Sequence, residues 1–130
     1  MSGYSFDGNI IIDLFNGIPE ARNELKRASS AGGIWISRMV WIEVMSKRSN
    51  ANLREVENFL SELSVDELDA EIAGRAALLR RERPKLKTPD AVIHATAQLR
   101  GRILVTRNTK DFPANMPGIR VPYTIDERTI

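Results

Sequence analysis

No cysteine occurs among the 130 residues. Neither disulfides nor thiolate metal ligation can hold this chain, zinc-finger readings are excluded, and nothing points to an oxidising compartment. Histidine is almost as scarce: the single His94 excludes a metal-free RNA-cleaving site that uses a histidine pair as acid and base. Aromatic residues are 6% of the chain, with no ladder of them for stacking bases. Trp35 and Trp41 flank the second expected strand and the third expected helix, where core packing or a protein interface suits them. No apolar run approaches the ~18 residues of a membrane span, and no basic segment followed by a hydrophobic stretch opens the chain, so a soluble cytoplasmic protein is expected. The net charge of +2 says little by itself.

What is present is enough for one core: 42% of the residues are hydrophobic, and the length fits a single domain spanning 1–130. The charges are unevenly placed. Glu62 to Glu71 holds five acids and no base, whereas Arg75 to Asp111 holds ten Lys or Arg against three acids. The cluster Arg80, Arg81, Arg83, Lys85 and Lys87 reads either as a solvated helix face or as a phosphate-binding surface, and charge alone does not choose.

Apolar periodicity gives the elements. Gly3 to Phe6 is a short first strand ending at Asp7, with Asn9 placed to cap a helix through Ile10, Leu14 and Phe15. Gly17 and Pro19 break it, Ala21, Leu25 and Ala28 mark the next helix, and Ala31-Gly32-Gly33 ends that. Ile34-Trp35-Ile36 is the second strand, Ser37 the cap of a third helix, and Glu43 lies about two turns along it. After a loop at Lys47-Arg48-Ser49-Asn50, Leu53, Val56 and Leu60 form an amphipathic helix, Leu63 to Val65 a third strand, and Leu68, Ile72, Ala76 and Leu79 a longer helix. Thr88, Pro89 and Asp90 open another, with Thr88 as cap. It stops near Gly101 and yields to the strand Ile103-Leu104-Val105. Turns fill the tail, with a short last strand around Ile119 to Val121. Alternating strands and helices imply an α/β fold with a mainly parallel sheet of about four to five strands, flanked by helices on both faces.

Ligands of such sheets bind beyond the carboxyl ends of the strands. Asp7, Glu43, Asp90 and Asp111 are far apart in sequence, yet each falls just after an expected strand or in the first turns of a helix. Four converging carboxylates raise one another's pKa unless cations neutralise them, and oxygen ligands of this kind suit Mg²⁺ or Mn²⁺. One or two such ions activate water against a phosphodiester, which is nuclease chemistry. Asp13, four residues after Asn9 on the same helical face, fits either a group supporting the site or an ordinary exposed acid, and the exposed reading is favoured. His94, four after Asp90, reads as a helix side chain at the groove wall, because hard cations need no imidazole.

The segments FDGNIIIDLF, ISRMVWIEV, TPDAVIHATA and LVTRNTKDF together resemble the successive motifs of PIN-domain ribonucleases across nearly the whole chain. The small size and the closing GIRVPY place the likeness nearest the VapC-type toxins of bacterial and archaeal toxin–antitoxin pairs. The resemblance implies a single PIN-like domain acting as a metal-dependent endoribonuclease, with Asp7, Glu43, Asp90 and Asp111 holding Mg²⁺ or Mn²⁺. It puts Asn9, Ser37 and Thr106 at polar positions lining the pocket, and Asn108 where relatives carry Asn or Asp. It further implies a homodimer silenced by a small antitoxin whose C-terminal segment wraps the groove, an arginine from it pairing with Asp7 or Asp90. Trp41, Met45, Val56 and Phe59 are the expected apolar anchors for a partner or dimer. Two positions depart from the pattern: Gly8 stands where Thr is usual after the first Asp, and Val40 where Thr often precedes the Glu by three. Other readings fit less well. Haloacid dehalogenase-like phosphatases use an Asp-x-Asp pair, and the third position here is Asn9, while a non-catalytic RNA- or partner-binding domain leaves the four acids without a purpose.

Overall fold

The computed structural model describes residues 3–47 and 52–125. Arg48, Ser49 and Asn50 of the expected loop lie outside the described residues. Three consecutive buried residues, Tyr4–Phe6, make strand β1. A strand buried on alternate sides at every position is covered on both faces, as parallel sheets require. The chain continues as α1 (Gly8–Phe15), α2 (Pro19–Ser30), β2 (Ile34–Ser37), α3 (Arg38–Ser46), α4 (Leu53–Ser61), β3 (Ser64–Asp66), α5 (Ala70–Glu82), α6 (Thr88–Arg100), β4 (Ile103–Val105) and β5 (Ile119–Arg120).

The strands lie in the order β3-β2-β1-β4-β5, and every pairing is parallel. From β1 the chain builds outward through β2 and β3, then returns to lay β4 and β5 on the other flank of β1. That reversal opens a crevice beyond the carboxyl ends of β1 and β4. Phe6, Ile36, Leu104 and Val105 from the sheet meet Ile10, Ile11, Val40, Leu60, Ile72 and Ile93 from the helices in one core, with Phe112 from the loop after β4 closing it.

The helix starts differ from the sequence reading in ways that matter for the site. Asp7, not Asn9, is the N-cap of α1: its Oδ1 accepts from Gly8 N at 2.7 Å. Thr88 is the first residue of α6 rather than its cap. Lys87 holds the cap position without a side-chain bond, and Pro89, whose missing N–H costs nothing in a first turn, sets the start. Leu68 falls outside α5, which Asp69 caps by accepting from Ile72 N. Ser37 caps α3 as expected, accepting from Val40 N at 3.1 Å. Gly101, at φ 68, ends α6 in the left-handed conformation that glycine adopts without steric cost.

Asp90 reaches the sheet edge by another route than the one expected. Helix α6 follows α5 rather than a strand. Because α6 leads back through Gly101 into β4, its N-terminus lies at the edge where β4 ends, and Asp90 in its first turn arrives there. The expected anchor surface also needs correction. Val56 is 4% exposed, since α4 turns Val56 and Leu60 onto the core, and Phe59 packs edge-on against Phe15. Among the described residues the large hydrophobics that stand exposed are Ile42, Leu53 and Leu68. Trp35 is held beneath the Arg102 guanidinium, 3.4 Å from its ring centre, while Arg102 forms an ion pair with buried Asp66.

Candidate active site

Asp7 is fixed from three directions. Its N–H donates to Val105 O at 2.9 Å, tying it to the end of β4. Oδ1 caps α1 through Gly8 N. Oδ2 accepts from Thr106 Oγ1 at 2.8 Å and, at a longer 3.5 Å, from Asn9 Nδ2. Thr106 Oγ1 in turn accepts from Asn108 N at 3.0 Å, so the polar run after β4 folds around the carboxylate. Burial raises the Asp7 pKa above its ordinary value against these hydrogen bonds and the nearby Arg107 charge, and Asp111 pushes it the same way.

Glu43 and Asp90 face Asp7 across a cleft of about 340 Å³, which Asn9, Lys47, Arg107 and Asn108 also line. Half-burial, then the charges of Asp7 and Asp90, lift the Glu43 pKa to about 7. Asp90 is lifted to about 6, first by burial and then by Asp7 and Asp111, with Lys87 and Arg83 opposing. Gly8 permits the approach of Glu43: a Cβ there would stand 3.3 Å from Glu43 Oε1.

Asp111 lies beside this cleft rather than on its wall. Asn108, which lines the cleft, donates from Nδ2 to Asp111 Oδ2 at 2.9 Å and accepts from Asp111 N at 3.3 Å. The structure thus brings Asp7, Glu43 and Asp90 to one cleft, with Asp111 held one hydrogen bond from its lining residue Asn108. Thr106 is fully buried behind Asp7. Ser37, 1% exposed, is used as the cap of α3.

Asp13, expected to be exposed, is 4% exposed. It accepts from Arg107 through Nε and Nη2, at 2.7 and 3.0 Å, and from Tyr123 Oη at 2.7 Å. Sequence reading missed this seat and the cleft cation it holds. The spacing of Asp13 from Asn9 was visible, but its partners are 94 and 110 residues away. His94 is buried and edge-on to Phe112 at 5.2 Å, bordering a different cavity from the acids. The expected place at the groove wall is corrected accordingly: the turn of α6 that carries Asp90 to the cleft carries His94 under the loop after β4.

Residues 4–115, which include all four acids, match the PIN domain family. The chain belongs to the PIN domain family. It is similar to the tRNA(fMet)-specific endonuclease VapC of Salmonella typhimurium, with 28% identity covering 93% of this chain and 97% of that protein. Among solved structures it is similar to a toxin–antitoxin complex from Klebsiella pneumoniae (TM-score 0.83, 42% identity, 94% of this chain and 99% of the other). VapBC2 from Rickettsia felis, bound to a DNA fragment from its promoter, is similar at TM-score 0.75 and 26% identity, covering 95% and 98%. The likeness of this PIN domain to VapC-type toxins, drawn from its motifs, is borne out.

The donors of this PIN domain suit a divalent metal by their chemistry. They are carboxylate oxygens, the ligands hard cations prefer, and their mutual repulsion is what such a cation would relieve. Among the described residues no three His, Cys, Asp or Glu side chains are gathered closely enough to hold a metal ion as they stand.

Proposed function

We propose that this PIN domain is a metal-dependent endoribonuclease and the toxin half of a toxin–antitoxin pair. The observation that supports the reading best is the cleft itself. Glu43 and Asp90 are held against Asp7 although its charge raises the pKa of both, an arrangement that costs stability and gains a purpose only when positive charge enters.

Asp7, Glu43 and Asp90 would hold Mg²⁺ or Mn²⁺, with Asp111 as the fourth charge and Asn108 orienting it. When bound there, the ion supplies the charge that activates water and offsets the developing charge on a phosphodiester. The protein's own part is positional. Thr106 and Asn9 fix the Asp7 carboxylate. Lys47 and Arg107, on the cleft wall, draw in the phosphate that the acids alone would repel. Cleavage by activated water leaves a 5′-phosphate and a 3′-hydroxyl. End-group analysis of cleaved RNA tests this: a 2′,3′-cyclic phosphate, or full activity in excess chelator, overturns the mechanism.

A small antitoxin is the proposed partner, supported by the similar structures, which are themselves toxin–antitoxin complexes. An arginine from it would pair with Glu43 or Asp90, the more open of the acids, through charge-assisted hydrogen bonds. With Val56 buried, Ile42 on α3 and Leu53 on α4 join Trp41 and Met45 as the apolar surface for this partner or a second copy. Co-expression with the neighbouring small reading frame tests the pairing: growth rescue and co-purification are expected. A chain that is harmless alone and binds no such partner overturns it.

A further inference from the structure

A second groove, of about 470 Å³, lies between the α5–α6 turn and the loop after β4, bordered by Arg83, Pro84, Lys85, Leu86, Lys110 and Asp111. It adjoins the acid cleft through the Asn108–Asp111 pair, since Asn108 lines the one and Asp111 the other. The charge changes sign across that boundary.

Much of the basic run from Arg75 to Asp111 is used within the protein. Arg75 donates to Gln98, Arg80 to the Leu86 carbonyl and Arg83 to the Asp111 carbonyl. Arg100 pairs with Asp69, and Arg107 with Asp13. Lys85 and Lys110 are different. Both are exposed, and neither has a hydrogen bond or ion pair among the described residues. Two ammonium groups on one groove repel each other and attract a polyanion. Pro84 and the buried Leu86 add an apolar part to the lining of this groove.

An RNA strand whose phosphate enters the acid cleft must continue on one side or the other. Within the cleft it meets Lys47 and Arg107 beside the three carboxylates; past Asn108 it meets these two lysines. We infer that this groove carries the RNA backbone away from the acid cleft, with Lys85 and Lys110 each contacting a phosphate that flanks the one to be cut. The inference rests on the ribonuclease reading above. Continuity with the cleft favours RNA over an acidic protein segment as the occupant, and the cations are lysines, which serve as point charges for phosphates without a fixed geometry.

The test is the salt dependence of binding a short single-stranded RNA in chelator, where cleavage is suppressed. Each phosphate contact to a single strand contributes about 0.7 to the slope of log K against log salt, so Lys85→Ala/Lys110→Ala should make the slope shallower by about 1.4 between about 50 and 200 mM. Arg22→Ala/Lys26→Ala removes the same charge from exposed positions on α2 and should leave the slope unchanged. Lys87 is left in place because its charge acts on Asp90. In Mg²⁺ the groove variant should cleave with a raised KM and an unchanged kcat. An unchanged slope while cleavage persists, or an equal change in both double variants, overturns the groove and leaves the nuclease standing. A native protein that neither binds nor cleaves RNA overturns both.

Discussion

At Gly8 a missing methyl sets how near Glu43 comes to Asp7. A Cβ would stand 3.3 Å from Glu43 Oε1, closer than relaxed packing allows, so Gly8→Ala should push the Glu43 carboxylate outward. Replacing a helical glycine recovers some part of the roughly 0.5–1 kcal/mol that glycine costs. Stability and function should therefore separate: an unfolding midpoint equal to or above that of the native chain, with a higher Mg²⁺ concentration for half-maximal cleavage. A variant with lowered stability and an unchanged Mg²⁺ requirement would contradict this account. The Asn108–Asp111 pair allows a second comparison. Asp111→Asn keeps the shape and removes the charge, and should weaken metal affinity about 10- to 100-fold. Asn108→Ala removes only an orienting amide and should cost less. A larger loss at Asn108, the residue that actually lines the cleft, would reverse the two roles.

Helix α2 and strand β5 are joined by one carboxylate. Glu24, 5% exposed, accepts from Arg27 and Arg120 through both oxygens, with shortest distances of 2.7 Å. Burial pushes its pKa up, but the hydrogen bonds from the two arginines outweigh that and hold it below the ordinary 4.5. Its contribution to stability is thus complete above about pH 4.5 and lost as pH falls through the lower folded value. Glu24→Gln should destabilise by about 2 kcal/mol, discounted for arginines that remain one-third or more exposed, and should flatten the acid limb of the stability profile. Equal acid limbs in urea unfolding would remove this tether from consideration. Elements of this kind were largely legible in the sequence, since apolar spacing gave the order and approximate bounds of strands and helices. The sequence points to Asn9 as the cap of α1 where the structure uses Asp7, because both are capping residues and propensity ranks them without deciding. It points to Thr88 for α6, where Pro89 in the first turn sets the start and leaves Lys87 at the cap position. Asp13 and Glu24 were not legible as buried acids. Asp13 is satisfied by Arg107 and Tyr123, and Glu24 by Arg120 as well as its neighbour Arg27. A local pattern shows Arg27 but carries no information about partners a hundred residues away.

For the molecule as a whole, the raised carboxylates of the acid cleft oppose the fold. Unfolded Glu43 loses its proton near the ordinary 4.5, whereas the folded group keeps it up to about 7. Between those values the folded state binds more protons, so the contribution of Glu43 to stability declines as pH rises through that window. Asp90, lifted from 3.8 to about 6, acts in the same direction. His94 acts in the other: burial lowers its pKa below the ordinary 6.5, so acidification charges the unfolded chain first and costs stability. The useful observable is therefore the difference between the native chain and Glu43→Gln, in which the His94 contribution cancels. In chelator that difference should favour the variant at pH 7.5 and shrink towards pH 5.5, a range above the one in which Glu24 titrates. Saturating Mg²⁺ stabilises by about 2.7 kcal/mol when the free ion is a hundredfold above its Kd, and it acts on the deprotonated cleft. The native unfolding midpoint should therefore rise with Mg²⁺ at pH 7.5, less so at pH 5.5, and little in Glu43→Gln at either pH. A Mg²⁺ shift of equal size in both proteins would place the ion elsewhere on the molecule and leave the raised carboxylates of the cleft without the partner assigned to them.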